Sequence, residues 1–89
     1  SFMKIKTGYL LRDIAGQTIV VPIGAEAVRF NGIVTLNKTG RALWNALQNE
    51  QSIEDLVQVL LNQFAVEETT AKNDVLAFVA KLKQANLME

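Results

Sequence analysis

The apolar residues near the start of the chain form short β-rich runs that are separated by turn residues. Residues 9–14 and residues 17–21 flank Ala15-Gly16, where the glycine can adopt a positive φ. These two runs predict a β-hairpin. Pro22 has no N–H for a ladder hydrogen bond, so the second strand either ends there or has an open edge at that point.

A second hairpin is predicted directly after the first. Residues 28–30 and residues 33–36 lie on either side of Asn31-Gly32, and an Asn-Gly pair between apolar runs is the strongest short-range hairpin signal. Because side chains alternate along a strand, Ile33 and Thr35 lie on one face of the last strand, and Val34 and Leu36 lie on the other.

The rest of the chain has apolar residues at helical spacing and predicts three helices. Asn37 is the N-cap of the first, which extends to about Gln48, and Ser52 begins the second with a capping-box sequence that ends at Asp55. The three apolar stripes are Leu43, Ala46 and Leu47 with Trp44 at the edge; Ile53, Leu56, Val57, Leu60, Leu61 and Phe64; and Ala71, Val75, Phe78, Val79 and Leu82.

The distribution of charge supports the third predicted helix. Glu67 and Glu68 suit the positive end of the helix dipole, and Lys81 and Lys83 suit the negative end. Asn86 can close this helix in the left-handed conformation. Three antiparallel strands followed by three helices make an α+β fold, with the layout of a winged helix-turn-helix.

Composition then excludes several classes of function. The 89 residues include no cysteine and no histidine, so the chain lacks a thiolate nucleophile, an imidazole base and the usual zinc ligands. No carboxylates or tyrosines have a spacing that assigns catalytic roles, and we therefore predict a non-enzyme without metal or cofactor. The length suffices for one core, which predicts a single domain over residues 1–89, with Ser1 and Phe2 as a remnant ahead of Met3.

Charge and hydropathy restrict the partners. Nine Lys plus Arg balance nine Asp plus Glu, and no basic cluster is available to neutralise phosphates. The longest apolar run, residues 19–23, is far shorter than the ~18 residues of a membrane-spanning helix. The start of the chain has no apolar region of the signal-peptide kind. These features predict a cytoplasmic protein that binds neither nucleic acid nor a membrane.

Three segments of the chain together resemble the PqqD-like family, small proteins related to the D protein of pyrroloquinoline quinone (PQQ) biosynthesis. The order and spacing of the segments, and the strands before them, carry the resemblance. The segments are LNKTGRALW (Leu36 to Trp44), SIEDLVQVLLNQF (Ser52 to Phe64) and DVLAFVAKLKQANL (Asp74 to Leu87).

The resemblance implies a peptide-binding adaptor, or peptide chaperone, of the kind called a RiPP recognition element. The leader segment of a ribosomally synthesised precursor peptide would add as a strand to the open edge of the third strand, in the cleft beside the third helix. The adaptor would then present the peptide to a modifying enzyme, typically a radical S-adenosylmethionine (SAM) maturase. Whether the pathway is that of PQQ or of another peptide product stays open.

The residues themselves suggest where such a peptide would bind. The strand over residues 33–36 carries no lysine or proline to block its edge. On the third helix, Leu76 lies off the apolar stripe on a shoulder shared with Lys72 and Lys83, which predicts a groove wall with a cationic rim for a partly acidic leader. The predicted peptide-binding residues are Ile33, Val34, Thr35, Leu36, Lys72, Val75, Leu76, Phe78, Val79 and Lys83.

Several alternatives stay open at this point. Residues 28–30 can occupy the edge of the last strand through the Asn-Gly turn, which would send the peptide to another edge. Leu76 can be an isolated surface leucine, and Phe78 and Trp44 can be core residues. An open edge can also pair two copies of the chain into a homodimer.

The alternative function is a winged-helix DNA-binding protein that reads DNA with the second or third predicted helix. The electrostatics argue against it, because neither helix can neutralise several phosphates. The exposed positions of the second helix hold two acids and no base: Glu54, Asp55, Gln58, Asn62 and Gln63.

Overall fold

The structure, a computed structural model, describes residues 1–29 and 34–89 of the chain. The elements within these residues are, in order, β1 (Tyr9–Ile14), β2 (Gln17–Pro22), α1 (Glu26–Arg29), β3 (Val34–Leu36), α2 (Lys38–Ala46), α3 (Ile53–Gln63) and α4 (Glu68–Gln84). The predicted α+β fold is confirmed, and the three predicted helices are α2, α3 and α4.

The three strands form one antiparallel sheet in the order β1-β2-β3. β1 and β2 pair from Tyr9↔Pro22 to Ile14↔Gln17, which confirms the first predicted hairpin. The connecting residues Ala15 and Gly16 have φ values of 52° and 81°. Two positive φ values in a two-residue turn match the right-handed twist of the strands that the turn connects.

β3 forms one edge of this sheet. It pairs with β2 through Thr18↔Leu36, Ile19↔Thr35 and Val20↔Val34. The side chains of Val34 and Leu36 are buried and that of Thr35 is exposed, which confirms the predicted alternation for these three residues. The inner face of β3 therefore belongs to the core, whereas its outer face meets solvent.

The second predicted hairpin is wrong in its first strand. Residues 28 and 29, predicted as strand, belong to the short helix α1. The chain turns at Gly24, which has a φ of 60°, and the N–H groups of Glu26 and Ala27 bond to the carbonyls of Ile23 and Gly24. These local hydrogen bonds begin a helical turn. The predicted Asn31-Gly32 turn, with Phe30 and Ile33, lies outside the described residues.

The predicted caps of the first two long helices are confirmed. The Asn37 side chain accepts a hydrogen bond from the N–H of Gly40 at 2.8 Å, ahead of α2. Ser52 and Asp55 form a complete capping box, because each side chain accepts a bond from the other residue's N–H. Both helices therefore begin where the sequence predicts.

The end of α4 is confirmed as well. Asn86 has a φ of 60°, and its N–H bonds to the carbonyl of Lys83. The next N–H, that of Leu87, bonds to the carbonyl of Leu82 at 2.9 Å. This pair of bonds is a Schellman motif, and it turns the fully buried Leu87 back into the core.

The helices cover the inner face of the sheet. Trp44 is 3% exposed, so its interpretation as a core residue is correct. The stripe of α4 is buried as predicted, with Val75 and Leu82 fully enclosed. Ile5, near the start of the chain, is also part of the core and forms a β-bridge with Met88, near the end of the chain. In the part of the chain that the structure describes, no helix is long and apolar enough to cross a membrane.

Candidate functional site

A cleft of about 430 Å³ lies between β3 and α4. The edge strand forms one wall, α4 forms the opposite wall, and the start of α2 closes one end. The cleft is lined by Thr35, Leu36, Asn37, Thr39, Gly40, Leu43, Asp74, Ala77, Phe78 and Lys81. The site therefore adjoins the one strand edge at which the predicted peptide would add.

A glycine allows α2 to approach the floor of this cleft. A Cβ atom on Gly40 would lie 3.3 Å from Cε1 of Phe78 and 3.1 Å from the capping oxygen of Asn37. Both distances are tighter than ordinary van der Waals contact, so a side chain here would crowd the ring and the cap. Phe78 is only 8% exposed. It is thus a core residue whose ring also forms part of the cleft lining.

The backbone of Thr35 faces the cleft. Its carbonyl accepts a hydrogen bond from Nζ of Lys81 on α4 at 2.9 Å. In an antiparallel ladder, successive residues direct their N–H and C=O groups alternately to the two sides of the strand. The carbonyl of Thr35 is directed toward α4, so the N–H of Thr35 is also directed away from β2. The N–H groups of Val34 and Leu36 are directed toward β2. Thr35 is therefore the described residue of β3 that offers both backbone groups to an added strand.

The structure places the predicted strand residues at this edge. Thr35 and Leu36 line the cleft, and the buried side chain of Val34 holds β3 against the core. Ile33 lies outside the described residues. Within the described residues β3 has a strand neighbour only on the β2 side. Residues 28 and 29, which the alternative interpretation placed as a strand at the free edge of β3, are helical.

The structure brings only some of the predicted residues of the third helix to the cleft. Phe78 lines the cleft, whereas Val75 and Val79 lie in the buried stripe behind it. Lys72, Leu76 and Lys83, which form the predicted groove wall, do not line this cleft. At ~100° per residue they lie on the far side of the buried stripe.

The shoulder that does face β3 carries Asp74, Ala77 and Lys81. Leu76 on the other shoulder is 46% exposed, and Lys72 lines a separate pocket of about 120 Å³ beside α3. The sequence offered one signal for the shoulder beside β3. Ala77 and Gly40 are small residues next to the apolar stripes, and their short side chains leave open the space that larger ones would fill.

Charge within the cleft is confined to the two ends of the α4 wall. Asp74 and Lys81 are seven residues apart, which separates their Cα atoms by ~10.5 Å along the helix. Leu36, Ala77 and Phe78 supply the apolar surface between them. Among the described residues no group of acidic side chains is arranged to hold a metal ion.

An exposed ion pair links α2, which closes the cleft, to the hairpin. Arg41 of α2 binds both carboxylate oxygens of Asp13 on β1, at 3.0 and 3.2 Å. The Thr18 hydroxyl donates to the same carboxylate at 2.7 Å. The hydrogen bond from Thr18 and the charge of Arg41 lower the pKa of Asp13 below its ordinary value. The carboxylate therefore keeps its charge, and with it the ion pair to Arg41, to a lower pH than an ordinary aspartate would.

Two solved structures share this fold over nearly the whole chain. One is a lasso peptide synthetase B1 complexed with the leader peptide, 21% identical, with a TM-score of 0.71 over 98% of this chain and 96% of that one. The other is TbiB1 in complex with the TbiA(beta) leader peptide, 19% identical, with a TM-score of 0.71 over 97% and 94%. No curated protein sequence matches the chain significantly.

The sequence itself matches a family model. The model of coenzyme PQQ synthesis protein D (PqqD) aligns with residues 13–88, which include all three segments that carry the resemblance noted from the sequence. The match covers β2, β3 and the four helices, and so contains the whole cleft. The chain therefore belongs to the PqqD family.

Proposed function

We propose that this protein is a non-catalytic adaptor that binds the leader segment of a ribosomally synthesised precursor peptide. The observation that carries the proposal is the open edge of β3 beside α4, where Thr35 directs both backbone groups into the cleft. The two solved structures of similar fold contain leader peptides, which supports the same ligand class here.

The leader binds as an added strand. Its backbone pairs with the N–H and C=O of Thr35, and its alternate side chains enter the cleft over Leu36, Ala77 and Phe78. The cleft volume holds a few side chains and not a whole peptide, so the rest of the leader extends beyond it. Val34 supports this edge indirectly, because its buried side chain holds β3 against the core while its N–H is directed toward β2.

The adaptor presents the bound peptide to a separate modifying enzyme in the cytoplasm. A radical SAM maturase is the partner that membership of the PqqD family favours. The chain's own chemistry agrees with this division of labour, because the sequence has neither histidine nor cysteine and the cleft offers backbone groups and apolar surface.

The proposal is tested by titrating the isotope-labelled protein with the synthetic leader of the precursor peptide encoded nearest its gene. We expect amide chemical shifts to change at Thr35, Leu36, Ala77 and Phe78. The amide of Leu76, on the opposite shoulder of α4, serves as the internal control and should change least. Shifts confined to the Leu76 shoulder, or no binding of any leader, would show that the site is wrong.

A further inference from the structure

Lys81 occupies the acceptor that an added strand requires. Its ammonium reaches from α4 across the cleft to the carbonyl of Thr35 at 2.9 Å. A peptide strand beside β3 would donate a backbone N–H to this same oxygen. A carbonyl oxygen has two lone pairs, but the added strand fills the space through which the lysine side chain passes. Binding of a peptide therefore displaces the ammonium.

The displaced ammonium can take a new partner. Lys81 is an exposed residue at one end of the cleft, so water hydrates its charge unless a better acceptor is present. Asp74 is the carboxylate among the residues that line the cleft, and its Cα lies ~10.5 Å away along α4. A carboxylate on the peptide itself is the partner that restores a charge-assisted hydrogen bond at this end of the cleft.

Strand geometry fixes where that carboxylate must lie. The Thr35 side chain is exposed, and a peptide residue directly opposite it points to the same outer face. The two neighbours of that peptide residue point inward, toward α4. One of them meets Lys81, and the other lies over Leu36 and Phe78. The acidic and apolar residues of the peptide are therefore separated by a single residue.

We propose that Lys81 is a specificity-determining residue of the cleft. In the free protein it caps the edge of β3, and in the complex it pairs with an aspartate or glutamate that lies two positions from an apolar residue of the peptide. This inference rests on the proposed strand addition at β3, and it adds the side-chain chemistry that the strand must carry.

A selection from a phage-displayed library of random peptides tests the preference directly. The wild-type protein should enrich peptides in which an acid lies two positions from an apolar residue. Lys81→Ala should lose the acid and keep the apolar residue, and Lys81→Glu should enrich lysine or arginine instead. Lys83→Ala is the matched control, because Lys83 is an exposed lysine of the same helix outside the cleft.

A selected peptide and its Glu→Gln or Asp→Asn twin give the quantitative test by fluorescence anisotropy. The wild-type protein should bind the acidic peptide roughly fivefold more tightly than the amide twin, as a part-exposed charged pair allows. Lys81→Ala should show no preference. It should also bind the amide twin at least as tightly as the wild type does, because no ammonium has to be displaced.

The outcomes distinguish the role of Lys81 from the proposed strand addition at β3. Circular dichroism first verifies that each variant is folded, as expected for changes at an exposed lysine. Selected peptides that shift the Thr35 amide, but keep the same acid preference in Lys81→Ala, would overturn the role of Lys81 and leave strand addition intact. If no peptide binds the wild-type protein at Thr35, the proposed function fails and this inference fails with it.

Discussion

Ala77 and Leu76 are adjacent on α4 and both are exposed, but only Ala77 lines the cleft. Helical spacing identifies the buried stripe, yet a shoulder flanks that stripe on each side and both look alike in the sequence. The direction in which α4 crosses the sheet decides between them. That direction is set by tertiary packing between distant residues.

Replacement of Ala77 tests this placement. We expect Ala77→Leu to weaken leader binding by roughly fivefold or more, because crowding a packed contact costs ~1–3 kcal/mol. Ala80→Leu is the matched control, since it makes the same change at an exposed position of α4 outside the cleft. Isothermal titration calorimetry measures both affinities. Equal weakening in the two variants would contradict the placement of the cleft.

Both variants should remain stable. Each changes an exposed position without altering a cap or a buried contact, so urea unfolding should give free energies within ~0.5 kcal/mol of the wild type. Loss of leader binding by Ala77→Leu then reports on the cleft and not on the fold.

At the scale of elements, the sequence predicted what local chemistry specifies. The Ser52–Asp55 capping box and the left-handed Asn86 depend on residues a few positions apart, so the starts and ends of the helices could be located. The helix α1 depends instead on the turn at Gly24. The nearby Asn31-Gly32 pair is a stronger signal in the sequence, and it led to the prediction of a strand over residues 28–30. A strong local signal for one structure thus masked a weaker signal for another.

The link between the β1–β2 hairpin and α2 gives a pH-dependent prediction. The pKa of Asp13 is lower in the folded protein than in the unfolded chain, because Thr18 and Arg41 bind its ionised form. The unfolded chain therefore takes up the proton first as the pH falls. The stabilisation is fully present above the ordinary aspartate range and is lost as the pH falls through the lowered pKa.

We accordingly expect Asp13→Asn to reduce the free energy of unfolding slightly at pH 7, because the ion pair is exposed to solvent. The difference from the wild type should shrink as the pH falls through the aspartate range. Urea unfolding across this pH range measures the difference, with Glu50→Gln, a change at an exposed acid between α2 and α3, as the control. A difference that does not vary with pH would assign the effect to packing and not to the charge.

At the scale of the whole molecule, the open edge is better protected than its own residues indicate. The sequence of β3 contains no lysine, but α4 supplies Lys81, which covers the carbonyl of Thr35. A lysine at an exposed edge discourages pairing with another copy of the chain. The protection is visible only in three dimensions, because the two residues are 46 positions apart.

We therefore expect the free protein to be a monomer. β3 has only three residues, and a pairing of two such edges falls well short of the ~1,200 Å² that a stable interface buries. Sedimentation velocity over a range of concentrations measures the oligomeric state. A dimer that the leader peptide dissociates would show instead that two copies use the same edge.

The shortness of this edge also defines a position along the precursor. Because Thr35 alone among the described residues of β3 offers both backbone groups, the proposed strand addition would hold one peptide residue opposite it. A slip by one residue would turn every inward side chain outward, so the neighbouring registers are disfavoured. We therefore expect the residue opposite Thr35 to act as a fixed reference point, from which the distance along the precursor to each modified residue can be counted.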